Sequence, residues 1–194
     1  MTTNNAPTAS PSFPTQEELE KALAVITAVR DAARTGIDTS LPWKKAHATL
    51  RLMTPQQYGI QMERWLCAHY GWIPVHKSNL RGDCVDKNGD HWEIKVSFLR
   101  GDRPTAQFNQ IRPLEDLAGY QLFIVAEDGE VTRLVLTSEQ MKKELAIIGS
   151  CTHGKSTKEA RAAGAEQTVA FRCADSSAIY TRWMKDYKVD DVPA

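Results

Sequence analysis

The chain has 194 residues, 42% of them hydrophobic, and its 24 basic residues balance 24 acidic ones. That suits one globular domain with its own core, and it excludes a passive polyelectrolyte binder of the histone kind, which needs a large positive excess. No apolar run reaches the ~18 residues of a membrane span. The cysteines Cys67, Cys84, Cys151 and Cys173 show no framework spacing, so reduced thiols in a cytoplasmic protein are expected.

Residues 1–14 are rich in Thr, Asn, Ala, Ser and Pro and lack an apolar signal-peptide core, so they read as a disordered tail. Residues 15–194 read as a single domain: a helical extension (15–53), a core (54–136), and C-terminal helices with a basic loop and a strand (137–194). Thr15 predicts the cap of a helix to about Thr35, with Leu19, Leu23, Ile26 and Val29 near one face and Gly36 as its stop. Ile37 to Trp43 reads as a linker. Thr54 is an N-cap and Pro55 a first helical residue for a helix to about Tyr70, before Gly71. Its apolar face is Tyr58, Met62, Trp65, Leu66 and His69.

Strands are predicted over 81–86 and 91–99, around the turn Lys87-Asn88-Gly89, then over 106–111, 120–126 and 131–136. Ser138 is expected to cap a helix to about Ala146. A polar, basic loop follows over 150–164, then a strand over 168–173 and a helix from Ser176 to about Lys188. Helices, a run of strands, then both mixed predict an α/β domain with a mixed β-sheet flanked by α-helices.

The segment from His91 to Phe98 alternates. Trp92, Ile94, Val96 and Phe98 share one face, which belongs in the core; His91, Glu93, Lys95 and Ser97 share the other. Asp83 lies across the turn. A two-residue turn at Asn88-Gly89 would put Asp83 opposite Ile94, on the wrong face. A three-residue loop pairs Asp86 with Asp90 and Asp83 with Glu93, and Asp86 at position i with Gly89 at i+3 favours it. Two adjacent carboxylates repel, by on the order of 1 kcal/mol or more outside bulk water. A divalent cation resolves that, and oxygen-only ligands suit Mg²⁺ or Mn²⁺. Lys95 could then orient a water or stabilise developing negative charge. The alternative is an ordinary surface Glu–Lys pair.

Gly82-Asp83 followed by Trp92-Glu93-Ile94-Lys95-Val96-Ser97 resembles the PD-(D/E)xK nuclease motif, as found in type II restriction endonucleases. The stretch from Gln107 to Pro113, then Tyr120 to Ile124, is similar to the Gln-rich strand and buried strand of such enzymes. The resemblance covers roughly Gly59 to Leu136; Gly82 stands where a proline is usual. It implies a restriction-endonuclease-like fold and a Mg²⁺-dependent endonuclease acting on double-stranded DNA, with Asp83, Glu93 and Lys95 as its catalytic set. A homodimer is expected, since cutting both strands of a palindrome needs two sites. Repair or junction cleavage by the same fold, and a non-catalytic DNA-binding module, are the alternatives. The resemblance also implies that a helical glutamate, here Glu63, contacts the metal; a solvated helix glutamate is the other reading.

Ser97, Gln107, Asn109, Gln110 and Arg112 are candidate DNA contacts. Strand parity puts Gln107 and Asn109 on one face, with Phe108 and Gln110 on the other, so not all can serve one site. The basic loop offers His153 and Lys155. A zinc site from Cys151, His153 and Cys173 is a remote alternative. Gly149 to Ser156 also matches G-x-x-x-x-G-K-[ST], a nucleotide-binding loop, with Leu145 to Ile148 as its strand. Against this, a helix begins at Ser138, and too little chain follows for the parallel sheet that such a loop normally precedes.

Overall fold

The computed structural model describes residues 13–75, 82–102, 104–112, 116–151 and 167–193. Helix α1 (Gln16–Thr35) opens on a capping box in which the Thr15 side chain accepts the Glu18 N–H and Glu18 accepts the Thr15 N–H. It buries no residue; only Val29 and Ala32, near its end, pack against the core. Helix α2 (Trp43–Leu50) follows what reads as a linker, with Pro42 as its N-cap. Its buried Trp43, Ala46, His47 and Leu50 have the i, i+3, i+4, i+7 spacing of a helix, compressed into two turns.

Helix α3 (Pro55–Tyr70) is capped by Thr54 and Gln57 and ends at Gly71 in the left-handed region. Tyr58, Met62, Trp65 and Leu66 are buried as expected. His69 is exposed and stacks on Trp65 with ring centroids 4.8 Å apart.

The strands are β1 (Ile73–Pro74), β2 (Cys84–Val85), β3 (His91–Phe98), β4 (Thr105–Ile111), β5 (Gly119–Val125), β6 (Val131–Thr137), β7 (Gly149–Cys151), β8 (Gln167–Arg172) and β9 (Lys188–Val189). A six-stranded sheet runs β1-β2-β3-β5-β6-β9, antiparallel throughout except for the parallel pair β3 and β5. The sequence order suggests one sheet, but β4 leaves it and forms a second, β4-β8-β7. β5 takes the place beside β3, and β4 turns its apolar Ala106, Phe108 and Ile111 onto the other layer. The result is a mixed α/β fold with a mostly antiparallel sheet flanked by helices.

Every residue of β5 is buried, as expected for a central strand covered on both faces. On one face, α2 and α3 pack against Ile94, Phe123 and Val125. On the other, Leu122, Ile124, Leu134 and Leu136 meet Phe108, Phe171 and Trp183. Each such large apolar side chain contributes roughly 1.5–3 kcal/mol on burial.

Helix α4 (Ser138–Ile148) is capped by Thr137, one residue earlier than the sequence suggests. The Ser138 hydroxyl donates to the Leu117 carbonyl instead, at 2.5 Å. Helix α5 (Ala178–Asp186) starts after Ser177 and docks on α4 through Glu144, whose side chain is 2% exposed. That carboxylate accepts both guanidinium nitrogens of Arg182, the Trp183 indole N–H at 2.9 Å and the Tyr187 hydroxyl at 2.7 Å. Burial works against the charge, but these donors outweigh it and hold the Glu144 carboxyl below its ordinary range.

Leu145 to Ile148 is therefore the end of a helix, and not the strand that a nucleotide-binding loop would need before Gly149. Gly149 itself opens β7, which pairs antiparallel with β8. Most of the predicted basic loop, including His153 and Lys155, lies outside the described residues, as does nearly all of the predicted N-terminal tail.

Candidate active site

The hairpin between β2 and β3 sets the site. The Asp86 N–H donates to the Asp90 carbonyl at 2.9 Å, and the Gly89 N–H to the Asp86 carbonyl at 3.1 Å. Gly89 has a φ of 86°, which closes the three-residue loop as a turn plus a left-handed residue. The Asp86 side chain accepts the backbone N–H groups of Asn88 and Asp90. The resulting register pairs Cys84 with Trp92 and Val85 with His91. The ladder stops at Cys84, and Asp83 sits one residue before it, beside Trp92 and Ile94.

Two bonds fix Asp83 there. Its N–H donates to the Trp92 carbonyl at 2.9 Å, and its Oδ2 accepts the Ile94 N–H at 2.8 Å. Gly82 makes this approach feasible. Its φ is 81°, and a Cβ would lie 2.7 Å from the Trp92 carbonyl oxygen. A proline, locked near −65°, could not stand there.

Glu93 and Lys95 point the same way from β3. Lys95 Nζ donates to Glu93 Oε1 at 2.5 Å, with side chains 20% and 16% exposed. Burial raises the Glu93 pKa; Lys95 pulls it down, Asp83 pushes it up, and Arg112 also pulls it down. The net shift is upward, so the two cations do not fully offset desolvation and the second carboxylate. Cys84, next to Asp83, belongs to the core instead. Its thiol is held protonated by its contact with Cys67, by burial, and by the charges of Asp83 and Glu63.

A cleft of about 390 Å³ opens beside these residues, with Glu63, Asp83, Lys95, Gln107, Asn109 and Gln110 in its wall. Strand parity alone would not bring the last three together. In β4 the register shifts between Phe108 and Ile111, where Phe108 pairs with Val169 but Ile111 pairs with Gln167. Asn109 and Gln110 together oppose Thr168, a β-bulge. Gln110 has a φ of 56°, uncommon for a residue other than glycine. The extra residue lets both Phe108 and Ile111 stay buried while Gln107, Asn109 and Gln110 all remain exposed on the cleft. The bulge, not strict strand alternation, therefore sets which of these side chains face the cleft. Gln107 Nε2 and the Thr168 hydroxyl both donate to Asn109 Oδ1, at 2.9 and 3.1 Å, which orders this rim.

Ser97 differs from its expected role. It is buried, and its hydroxyl accepts the Gln107 N–H at 2.9 Å, tying β3 to β4 rather than facing a ligand. Arg112 is exposed and near enough to act on the Glu93 charge. Sequence reasoning missed Gln56, Gly59 and Ile60, which line the cleft from α3. With Glu63 they have the spacing i, i+3, i+4, i+7, a polar-edged helix face legible in principle. A Cβ at Gly59 would meet nothing within 4 Å, so the helix leaves open space there.

Among the described residues, no three His, Cys, Asp or Glu side chains form a ready-made metal cage. Mg²⁺ requires less: one or two carboxylates, with water and substrate oxygens completing its shell. Asp83 and Glu93 fit that donor set. They are hard oxygen ligands, half-buried, and the upward shift at Glu93 marks a place where more positive charge would be favourable. The zinc alternative rests on His153, outside the described residues. No helix among the described residues is long and apolar enough to cross a membrane. No family model matches the chain, and no curated protein matches it.

Proposed function

We infer that this protein is a Mg²⁺-dependent endonuclease of restriction-endonuclease-like fold that hydrolyses phosphodiester bonds of double-stranded DNA. The observation that carries the reading is that Asp83, bonded to the Ile94 N–H, and the Glu93–Lys95 pair lie on adjoining chain segments, with Asp83 and Lys95 in the wall of a cleft that also carries Gln107, Asn109 and Gln110. Mg²⁺ (or Mn²⁺) on the two carboxylates would supply an acidified water and charge compensation at the phosphate. Lys95 holds Glu93 in place in the free protein, and its ammonium is positioned to stabilise negative charge that develops during attack. Glu63, also in the cleft wall, can accept hydrogen bonds from water there. Gln107, Asn109, Gln110 and Arg112 offer donors to phosphates or base edges. A repair, junction or restriction role would use the same chemistry on differently shaped DNA.

The test is plasmid DNA with purified protein, in Mg²⁺ or in EDTA. Discrete bands with Mg²⁺ alone are expected for a site-specific enzyme, and a smear for a nonspecific nuclease. DNA bound but uncut in both Mg²⁺ and Mn²⁺ would favour a binding module and overturn the enzymatic reading.

A further inference from the structure

A second pocket, of about 550 Å³, is lined by Arg51, Leu52, Met53, Phe98, Arg100 and Glu127. Both arginines are exposed. Among the described residues neither forms an ion pair, although Glu127 shares the wall. Lys95, Arg133 and Arg182, by contrast, each meet a carboxylate. Arg100 is also held in place. Its guanidinium carbon lies 5.0 Å from the centroid of the Phe98 ring, and Phe98 stacks on the buried ring of Tyr58 at 5.2 Å. A guanidinium seated on a packed aromatic pair loses less freedom on binding than a free surface side chain.

The pocket adjoins the cleft. Pro55 and Val96 line the cleft; Met53 and Phe98, each two residues away on the same segments, line the pocket. Phe98 is three residues beyond Lys95 on β3, roughly 10 Å at the rise of a strand and so on the order of three nucleotide steps. The first turn of α3 stands at the junction, with Pro55 and Gln56 in the cleft wall, and a helix N-terminus favours an anion.

We propose that Arg51 and Arg100 bind a backbone phosphate of the DNA in the cleft, a few nucleotides from the bond that is cut. This rests on the endonuclease reading. The charges of the chain balance, so no general positive field draws DNA to it and backbone affinity has to come from local cations. Asp83 and Glu93 repel phosphate until a metal binds, which makes cations flanking the site more necessary. The guanidinium fork matches phosphate oxygens. Two arginines less Glu127 leave one positive charge in the pocket, which suits a phosphodiester better than a free phosphate dianion. Such contacts orient the duplex and read no base.

Fluorescence anisotropy with a labelled duplex, in Ca²⁺ across a salt series, tests this. Arg51→Ala with Arg100→Ala should weaken binding most at low salt and flatten the slope of log K against log salt by about 1 for each arginine. Arg51→Lys with Arg100→Lys should keep most of the slope. Lys142→Ala, on α4 against the other layer, should leave it unchanged. The urea midpoint of the Ala variant should stay near wild type, since both side chains are exposed. An Ala variant with the wild-type slope overturns the proposal. So does a slope lost equally in the Lys variant or in Lys142→Ala, or calorimetric binding of inorganic phosphate that the Ala variant loses while its duplex binding is intact. A wild type that binds no duplex overturns the endonuclease reading as well. A wild type that cuts plasmid DNA, beside an Ala variant with an unchanged slope, overturns this proposal alone.

Discussion

Two carboxylates in this molecule each meet a basic side chain away from bulk water, with opposite consequences. Glu144 is closed off by donors from Arg182, Trp183 and Tyr187, and its pKa falls despite burial. Glu93 is buried beside Lys95 and the neighbouring Asp83, and its pKa rises. A carboxylate whose lone pairs are all satisfied by the protein joins elements together. One that is buried with a single lysine beside a second carboxylate destabilises the fold slightly and is a candidate for binding a cation. The first cluster docks α5 on α4; the second is the proposed metal site.

Breaking the second cluster should give the largest effect, and on rate. Lys95→Ala is expected to lower Mg²⁺-dependent cleavage by roughly 10²–10³-fold, the usual loss for a group that stabilises transition-state charge. Binding to the same DNA in Ca²⁺, read by mobility shift, should persist, because the interaction is made mainly in the transition state. Cleavage at the wild-type rate would make Lys95 an ordinary strand lysine.

Breaking the first cluster should act on stability. Glu144→Ala leaves Arg182, Trp183 and Tyr187 without their acceptor, at a cost of about 2–3 kcal/mol in urea unfolding. That is the low end for a broken buried pair, because Arg182 keeps 36% of its side-chain exposure. An unchanged urea midpoint would show that α5 is held by apolar packing alone.

The pH dependence sharpens the contrast. The Glu144 pKa is lowered on folding, so its contribution is full above the ordinary carboxyl value and is lost as pH falls through the folded value. The Glu93 pKa is raised, so ionisation opposes folding at neutral pH and the penalty fades as acid protonates it. Without Mg²⁺, Glu93→Gln should therefore be more stable than wild type at neutral pH, with the difference shrinking towards acid. Unfolding curves at several pH values in EDTA check this; a neutral-pH loss instead would mean that Glu93 is structural.

The hairpin that carries the site was legible because its signals are local. Asp86, Asn88 and Gly89 dictate the loop, the loop dictates the register, and the alternation from Trp92 to Phe98 dictates the faces. The N-caps at Thr15 and Thr54 were equally plain. The bulge in β4 was not, because it is imposed by the need to bury both Phe108 and Ile111 against β8, a contact distant in sequence. Helix α2 was obscured by Pro42 and by having only two turns. For α1 the sequence showed an apolar face but could not show that no described element covers it.

The measurement closest to the central claim compares plasmid cleavage in Mg²⁺ by wild type, Glu93→Gln and Glu144→Gln, each first shown to be folded at the assay temperature. The account predicts cutting by wild type and by Glu144→Gln, and loss of cutting by Glu93→Gln although that variant is at least as stable as wild type. Cleavage by Glu93→Gln at the wild-type rate, or its absence in wild type with both Mg²⁺ and Mn²⁺, would contradict it.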